Sequence, residues 1–348
     1  MSGGRRLVFT TPLQPELVQR VREVDDRLEV VYPTDLITQP RYQAGHPRPD
    51  LDRPGAHEQW DELLAGAEIL FDFGPLELVP TLASRERLRW VQGSSAGVGR
   101  MVELSGLVDS EVVVTTSSGV HGRPLAEFVV LAMLMFGKNT LNLMRLQREH
   151  RWERQLDRPP DEEIRGKTVC VIGLGSIGGE VARVVRALDA RVVGAVRSVG
   201  TRTAAELGVE ELRSTDELDD LLPDADVIVL ATPQTAATRR LLDARRLALC
   251  KPTAIVVNVG RGDTIDEAAL IDALREGRLR GAALDVFEEE PLPAESPLWD
   301  LPNVFVSPHA ASTAVGENER IVGLFCANLE RYLEGRPLLN VFDKEILY

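Results

Sequence analysis

The strongest constraint on the fold is a glycine-rich turn between an apolar segment and a helical one. The apolar segment Thr168–Ile172 runs into Gly173-Leu174-Gly175-Ser176-Ile177-Gly178, after which a helical pattern begins. This spacing, between a strand and a helix, predicts a dinucleotide-binding turn. Gly173 permits the tight turn, Gly175 lets the backbone approach a pyrophosphate, and Gly178 lets the helix pack on the strand. We therefore expect cofactor contacts from Gly173, Gly175, Ser176, Ile177 and Gly178, at a helix N-terminus that offers N–H groups and a positive dipole end.

The residue that ends the next predicted strand indicates which dinucleotide binds. NAD sites usually carry an Asp or Glu about 20 residues after the turn, where it bonds the ribose 2′-hydroxyl. Here Arg197 takes that place, 19 residues after Gly178. A guanidinium can bind the 2′-phosphate of NADP bidentately, and Ser198 can donate one more bond. We therefore predict a preference for NADP(H). A solvated Arg197 beside a permissive ribose pocket, and hence NAD(H), stays open.

Short apolar segments alternate with helical patterns, which predicts an α/β fold with parallel strands. They are residues 7–10, 67–71, 88–92, 112–115, 168–172, 191–196, 227–231, 254–258, 281–284 and 304–307. Most of the later segments are continuously apolar, as expected for parallel strands covered on both faces. The 348 residues suffice for about two domains. We expect two Rossmann-like, doubly wound domains: a discontinuous substrate domain of residues 1–118 plus 315–348, and a dinucleotide-binding domain of residues 119–314.

The pattern turns helical from residue 124 to about residue 151. Apolar side chains recur there at spacings of three and four, at Leu125, Phe128, Val129, Ala132, Met135 and Phe136. A helix that is apolar around much of its girth is expected to be buried, here against a second subunit.

The charge balance and the cysteines exclude several classes of function. Forty Lys and Arg against 54 Asp and Glu give a net charge of −14, which disfavours nucleic acid and anionic membrane surfaces as partners. Cys170, Cys250 and Cys326 lie far apart without metal-type spacing, so we predict no metal site and a reducing compartment. The longest apolar run, residues 128–136, is too short to span a bilayer, and no secretory signal pattern opens the chain. These features predict a cytoplasmic protein.

Three polar residues follow the last predicted strands. Arg261 comes after segment 254–258, Glu290 after segment 281–284, and His309 after segment 304–307. In an open α/β sheet the carboxyl ends of the strands border the ligand crevice. All three side chains are therefore expected near the nicotinamide ring of a bound dinucleotide.

The order of these motifs resembles the D-2-hydroxyacid dehydrogenase family. The resemblance rests on the glycine turn, Asn258-Val259-Gly260-Arg261-Gly262, Leu284-Asp285-Val286-Phe287-Glu288-Glu289-Glu290-Pro291 and Pro308-His309-Ala310-Ala311-Ser312. It extends to Ala126-Glu127 and to Gly93-Ser94-Ser95-Ala96-Gly97-Val98, so it covers nearly the whole chain. The sequence differs from the family pattern at one position, where Arg197 replaces the acidic residue of NAD-using members. The resemblance implies an active site in the cleft between the domains, and a homodimer formed through the long helix.

Glyoxylate or hydroxypyruvate would be typical substrates, each a small 2-keto acid reduced to the D-2-hydroxy acid. His309 would be the general acid, because histidine exchanges protons near neutral pH. Glu290 would orient the imidazole and favour its charged form; the family pattern places this acid just before the proline, which selects it over Glu288 and Glu289. Arg261 would clamp the substrate carboxylate and polarise the carbonyl.

The resemblance also implies further contacts. Asp285 would face the nicotinamide carboxamide, and backbone N–H groups at Ala96 and Gly97 would bind the substrate carboxylate. The rest of the expected cofactor lining is Thr232, Pro233, Val259, Gly260, Arg261, His309 and Ala311.

Two alternatives remain open at this point. A non-catalytic regulator of the corepressor type could use the same fold to sense a dinucleotide, although an intact Arg, Glu and His argue against it. A formate dehydrogenase-like enzyme would be expected to pair its histidine with a glutamine, and Glu290 argues against that.

Overall fold

The computed structural model describes residues 5–42, 46–47, 49, 51–157 and 160–345. The chain divides into two units. Unit 1 contains Met1–Val120 and Thr313–Tyr348, and unit 2 contains His121–Ser312.

The secondary structure alternates strands and helices along the chain. The strands are β1 Arg5–Phe9, β2 Leu28–Val31, β3 Ile69–Phe71, β4 Trp90–Gln92, β5 Val113–Thr115, β6 Thr168–Ile172, β7 Arg191–Val196, β8 Glu211–Ser214, β9 Val227–Leu230, β10 Ile255–Asn258, β11 Gly281–Leu284 and β12 Val304–Val306. The α-helices are α1 Pro15–Arg22, α2 Ala56–Gly66, α3 Gly99–Leu104, α4 Gly122–Gly137, α5 Thr140–Arg148, α6 Ser176–Arg186, α7 Leu218–Leu221, α8 Ala244–Leu247, α9 Glu267–Arg275 and α10 Glu317–Leu333.

Unit 1 is built on a five-stranded parallel sheet in the order β2-β1-β3-β4-β5. Its core is aromatic, and α10 from the end of the chain supplies the central ring. Phe325 of α10 lies with its ring centroid 4.9 Å from that of Phe71 and 5.2 Å from that of Trp90. All three side chains are fully buried. Residues 313–345 therefore complete the core of the unit that the first 120 residues begin.

Unit 2 is built on a seven-stranded parallel sheet in the order β12-β11-β10-β9-β6-β7-β8. The first strand in sequence, β6, lies inside the sheet. The chain continues to one side through β7 and β8, and then returns to the other side through β9. The strand order reverses between β6 and β9, and in such sheets the ligand crevice opens at the carboxyl ends of the strands at this point.

Both faces of the unit 2 sheet are covered. Side chains alternate between faces along a strand, so Val169 and Val171 of β6 pack with α4 and α6, whereas Cys170 and Ile172 pack in the cluster formed with α7, α8 and α9. Burial on both faces explains why these strands read as continuous apolar runs.

The prediction of a single helix over residues 124–151 is wrong in one respect. Asn139 adopts a left-handed backbone conformation (φ 53°), which ends α4 and starts α5, and the two helices are bent by 65°. An α-helix cannot pass through a left-handed residue without breaking. Within the described ranges no single helix is long and apolar enough to cross a membrane; α4 and α5 meet the length and composition criteria only as a bent pair.

Candidate active site

The glycine turn between β6 and α6 depends on the absence of side chains. Gly173 has a φ of +92°, and a Cβ atom there would lie 2.8 Å from the carbonyl oxygen of Ala231. A Cβ on Gly178 would lie 1.8 Å from the carbonyl oxygen of Gly173. A Cβ on Gly175, by contrast, would meet none of the described atoms within 4 Å. The first and third glycines are therefore required by packing, while the second leaves the backbone open to a ligand.

Helix α6 begins at this open position. Gly175 is its N-cap residue and has no side chain with which to cap the helix, and its carbonyl oxygen accepts the N–H of Gly179 at 2.8 Å. Ser176 and Ile177 form the first turn. An N-terminus without a side-chain cap, preceded by open space, is a suitable site for a pyrophosphate.

The crevice wall next to the turn contains an unpaired hydroxyl group. The side chain of Thr232, after β9, is buried, and its Oγ1 has no hydrogen-bond partner among the described residues. A Cβ added to Gly173 would lie 2.9 Å from Cγ2 of Thr232, and a Cβ added to Gly260 would lie 2.7 Å from the carbonyl oxygen of Thr232. The ends of β6, β9 and β10 therefore converge at Thr232. Because buried polar groups are normally paired, the free Oγ1 indicates a polar group on a bound ligand, as a dinucleotide would supply.

Three other predicted cofactor residues lie beside these strand ends. Val259 follows β10, is buried, and donates its N–H to the carbonyl oxygen of Leu230. Pro233 follows Thr232, and its carbonyl oxygen accepts the Thr238 hydroxyl at 2.6 Å. Ala311 lies in the loop after β12, and its N–H donates to Asp285.

Arg197 lies directly after β7, the neighbour of β6 in the sheet. Arg197 and Ser198 are exposed, and the Arg197 guanidinium has no ion pair or hydrogen bond within the described part of the chain. Arg202 folds back on the same loop, where it donates to the carbonyl oxygens of Ser198 and Val199. The charge of Arg197 is thus free to meet an anionic ligand.

His309 and Glu290 form a close pair. The Nδ1 atom of His309 lies 2.7 Å from Oε2 of Glu290, and Oε1 of Glu290 accepts the backbone N–H of Phe287 at 3.0 Å. The carboxylate is thus held at both oxygens, and it occupies only one ring nitrogen of the histidine. The side chains of His309 and Glu290 are 46% and 34% exposed, so Nε2 remains available to a second partner.

Asp285 fixes the loop that carries His309. Its side chain is buried, and its Oδ1 accepts three bonds: from Ser307 Oγ at 2.5 Å, from the N–H of Ala310 at 2.9 Å and from the N–H of Ala311 at 3.0 Å. His309 itself has a φ of 53°, which is uncommon for a residue with a side chain. The loop is therefore held on both sides of the histidine by one buried carboxylate. Sequence reasoning missed this role, although Ser307 and Ala310 flank the predicted histidine.

Arg261 lies beside the loop that carries Glu290. A Cβ added to the next residue, Gly262, would lie only 1.8 Å from the carbonyl carbon of Phe287, so the two backbones are in contact. The Arg261 Nη1 donates to the carbonyl oxygen of Gly260 at 2.8 Å. No carboxylate lies within ion-pair distance of Arg261 in the part of the chain that the structure describes. Arg261, Glu290 and His309 are thus linked within unit 2 through neighbouring loops.

Glu267 also contacts this region, although no sequence motif singles it out. Its Oε2 accepts the N–H of Glu288 at 3.1 Å. Burial raises the pKa of Glu267, and the nearby carboxylates of Glu288 and Glu289 raise it further. Glu267 therefore braces the loop that leads to Glu290.

The two predicted substrate residues of unit 1 follow β4. The N–H of Gly97 donates to Oγ of Ser95 at 3.2 Å, and Ala96 lies between these residues. Gly97 also lines a cavity of unit 1. Within unit 1, these loop residues lie at the carboxyl end of the sheet.

Comparison with known proteins identifies the family. Residues 130–311 match the family model described as "D-isomer specific 2-hydroxyacid dehydrogenase, NAD binding domain". A glyoxylate reductase from Aeropyrum pernix is 35% identical over 271 residues, which cover 76% of this chain and 79% of the relative. The chain belongs to the D-2-hydroxyacid dehydrogenase family.

Solved structures support the assignment of this chain to the family. A D-isomer specific 2-hydroxyacid dehydrogenase from Xanthobacter autotrophicus, in complex with NADPH and MES, has a TM-score of 0.76 at 28% identity and covers 100% of both chains. An NADPH-dependent glyoxylate/hydroxypyruvate reductase from Sinorhizobium meliloti, in complex with NADP and sulfate, has a TM-score of 0.76 at 27% identity and covers 99% of this chain and 100% of that one. The predicted family and the fold of two parallel-sheet α/β domains are confirmed, and the protein is an NAD(P)-dependent oxidoreductase.

Proposed function

We propose that this dehydrogenase reduces a small 2-keto acid to the D-2-hydroxy acid, with NADPH as the preferred reductant. The observation that carries the proposal is the 2.7 Å pair of His309 and Glu290 in the unit that holds the glycine turn. Carbonyl reduction needs such a proton donor, and the names of the Aeropyrum and Sinorhizobium relatives indicate glyoxylate or hydroxypyruvate as the substrate class.

His309 supplies the proton in this proposal. The cofactor, when bound, supplies the hydride to the carbonyl carbon. Glu290 accepts the Nδ1–H of His309, which leaves Nε2 to give a proton to the carbonyl oxygen and to take it back in the reverse direction. The bond from Phe287 to Glu290 holds the carboxylate in position, and the carboxylate in turn orients the imidazole.

Arg261 binds the substrate carboxylate and polarises the carbonyl. One guanidinium nitrogen, Nη1, donates to the carbonyl oxygen of Gly260, and the group has no carboxylate partner among the described residues. The other N–H groups of the planar guanidinium are therefore left to bind an anion. We also propose that unit 1 is the substrate domain, with backbone N–H groups at Ala96 and Gly97 as further donors to the carboxylate.

The remaining cofactor contacts follow from the crevice of unit 2. The Thr232 hydroxyl is proposed to bond a polar group of the dinucleotide, and Pro233, Val259, Gly260 and Ala311 to line its path. Asp285 uses Oδ1 to hold the His309 loop, and its other oxygen is proposed to accept from the nicotinamide carboxamide.

NADPH is preferred because Arg197 offers an unpaired guanidinium where NAD enzymes place a carboxylate. Ser198 is exposed beside it and can donate to the same 2′-phosphate. The contacts of Arg202 with Ser198 and Val199 support the shape of this loop.

We further propose a homodimer formed through α4 and α5. Four large apolar side chains on these helices are 41–45% exposed: Leu131, Leu134, Leu143 and Met144. Apolar surface clustered on neighbouring helices is typical of a subunit interface. The cytoplasmic location stays a prediction.

The decisive experiment follows NADPH oxidation with glyoxylate, hydroxypyruvate and pyruvate, and NADP reduction with formate. We expect turnover with keto acids and a loss of about 1,000-fold in kcat/KM for Arg261→Gln and for His309→Ala. Unchanged turnover in both variants would remove the assigned mechanism. Formate oxidation alone would favour the formate dehydrogenase-like alternative, and dinucleotide binding without turnover would favour the sensor.

A further inference from the structure

A buried amide side chain holds the backbone around Arg261. Asn258, the last residue of β10, is 1% exposed. Its Oδ1 accepts the N–H of Gly260 at 3.1 Å, and its Nδ2 donates to the carbonyl oxygen of Arg261 at 2.9 Å. One side chain therefore bonds the backbone on both sides of the peptide group that joins Gly260 to Arg261.

Thr264 holds the same carbonyl oxygen from the other end of the turn. Its side chain is fully buried, and its Oγ1 donates to the carbonyl oxygen of Arg261 at 2.6 Å. The Nδ2 of Asn258 also donates to Oγ1 of Thr264, at 3.4 Å. The Arg261 carbonyl thus accepts from two buried side chains that are bonded to each other. A buried polar network in which each member is paired fixes one local conformation.

The held backbone also fixes the guanidinium. The Nη1 of Arg261 donates to the carbonyl oxygen of Gly260 at 2.8 Å. Gly260 is itself packed against the end of β9, because a Cβ added to it would lie 2.7 Å from the carbonyl oxygen of Thr232. An arginine side chain has several rotatable bonds, so its charged group is placed accurately only where its surroundings hold it. The position of this guanidinium therefore depends on the bonds made by Asn258 and Thr264.

Asn258 is also bonded to the residue that holds the histidine loop. Strands β10 and β11 are neighbours in the sheet, and the carbonyl oxygen of Asn258 accepts the N–H of Asp285 at 3.1 Å. Asp285 in turn accepts the N–H groups of Ala310 and Ala311 beside His309. The guanidinium and the imidazole are thus placed by two buried side chains at adjacent strand ends.

We propose that Asn258 and Thr264 are positioning residues for the reaction and act through Arg261. The inference rests on the proposed function, in which Arg261 binds the substrate carboxylate. Both side chains are buried, so their effect on the substrate is exerted through the guanidinium. Anion binding by a guanidinium depends on the direction of its N–H groups, and a small displacement weakens it. Loss of either side chain therefore weakens binding of the keto acid rather than of the dinucleotide.

The first test removes the Thr264 hydroxyl. Thr264→Val replaces it by a methyl group of similar size, and we expect the KM for glyoxylate to rise about tenfold. The dissociation constant for NADPH, measured by fluorescence titration, should change less than about twofold. Thr264→Ser keeps the hydroxyl and should restore most of the loss. Thr115→Val removes an equally buried hydroxyl from β5 of unit 1 and is the matched control, with an unchanged KM.

The second test repeats the substitution in a protein without the guanidinium. Because Thr264 acts through Arg261, adding Thr264→Val to Arg261→Gln should lower kcat/KM less than about twofold further, whereas independent losses would multiply. Asn258→Asp keeps the acceptor for Gly260 but places an oxygen opposite the Arg261 carbonyl, so it should raise KM more than Thr264→Val does. The Thr264 variants decide the question even if Asn258→Asp does not fold.

The outcomes separate this inference from the proposed function. A wild-type KM in Thr264→Val, or a full further loss in the Arg261→Gln background, overturns the positioning role and leaves the proposed function in place. An equal rise of KM in Thr115→Val also overturns it, because loss of any buried hydroxyl would then have the same effect. Full activity of Arg261→Gln removes Arg261 from the mechanism and overturns both.

Discussion

Asp285 accepts the backbone N–H of Ala310, the residue that follows His309, at 2.9 Å. The same oxygen accepts from Ser307 and Ala311, so the histidine lies in a loop tied to one buried carboxylate. A catalytic imidazole loses efficiency when its position drifts by a fraction of an ångström. The geometry of His309 therefore depends on a residue that does not contact its ring in the structure.

Replacement of Asp285 tests this dependence. Asp285→Ala leaves buried N–H groups unpaired, so we expect the free energy of unfolding to fall by about 3 kcal/mol and kcat by about 100-fold. Asp285→Asn retains an acceptor oxygen and should lose less in both quantities. Chemical denaturation and steady-state kinetics measure the two effects. A stable Asp285→Ala variant with the wild-type kcat would contradict the positioning role.

The three consecutive glutamates before Pro291 offer a matched comparison. Glu290→Gln removes the charge next to His309 and should lower kcat by about 100-fold while leaving dinucleotide binding unchanged. Glu289→Gln, one residue earlier, should retain activity, because Glu289 makes no contact with the histidine. Steady-state kinetics and fluorescence titration with NADPH distinguish the two. A larger loss for the Glu289 variant would show that the wrong carboxylate has been assigned.

Cofactor choice should change with Arg197. Arg197→Asp replaces the guanidinium by the carboxylate that NAD enzymes use, so the ratio of kcat/KM for NADPH to that for NADH should fall by at least about 100-fold. Arg275→Asp, an equal change of charge at the exposed end of α9, is the control and should leave this ratio unchanged. An unaltered ratio in the Arg197 variant would mean that Arg197 does not bind the 2′-phosphate.

The parts of the fold that could be predicted from the sequence are those where burial dictates composition. The interior strands of unit 2 are covered on both faces and are apolar throughout, so they were recognised as strands. The edge strands β2 and β8 were missed because they are only partly buried and carry polar side chains, as in Glu211-Leu212-Arg213-Ser214. The break at Asn139 was also missed, because the apolar spacing continues across it.

The candidate site was also predictable only in part. Arg261, Glu290 and His309 were expected to lie near one another because each follows a parallel strand, and the loops that carry them do make contact in the structure. His46, Asp72 and Ser94 line one cavity of unit 1, and they could not be grouped from the sequence. They are brought together by loops at separate strand ends of unit 1, and loop conformation depends on local hydrogen bonds that apolar periodicity does not report.

The cysteines make a prediction about pH. Burial raises the pKa of Cys170 and of Cys250 to about 12 and that of Cys326 to about 11, from 9.0. The native thiols should therefore resist Ellman's reagent near pH 8, whereas all three react in denaturant. Because the unfolded state loses these protons first, the free energy of unfolding should decrease as the pH rises above about 9. Rapid labelling of the native protein would contradict the buried placement.

The apolar surface of α4 and α5 leads to a prediction about assembly. Leu131 and Leu134 are 45% and 43% exposed, one turn apart on α4, so a charged residue at either position would be desolvated in a dimer interface. We expect the wild type to sediment as a dimer at micromolar concentration and the Leu131→Lys/Leu134→Lys variant as a folded monomer. Leu104→Lys, at a similarly exposed apolar position on α3 of unit 1, should remain dimeric. A monomeric wild type would contradict the interface, as would a double variant that remains a stable dimer.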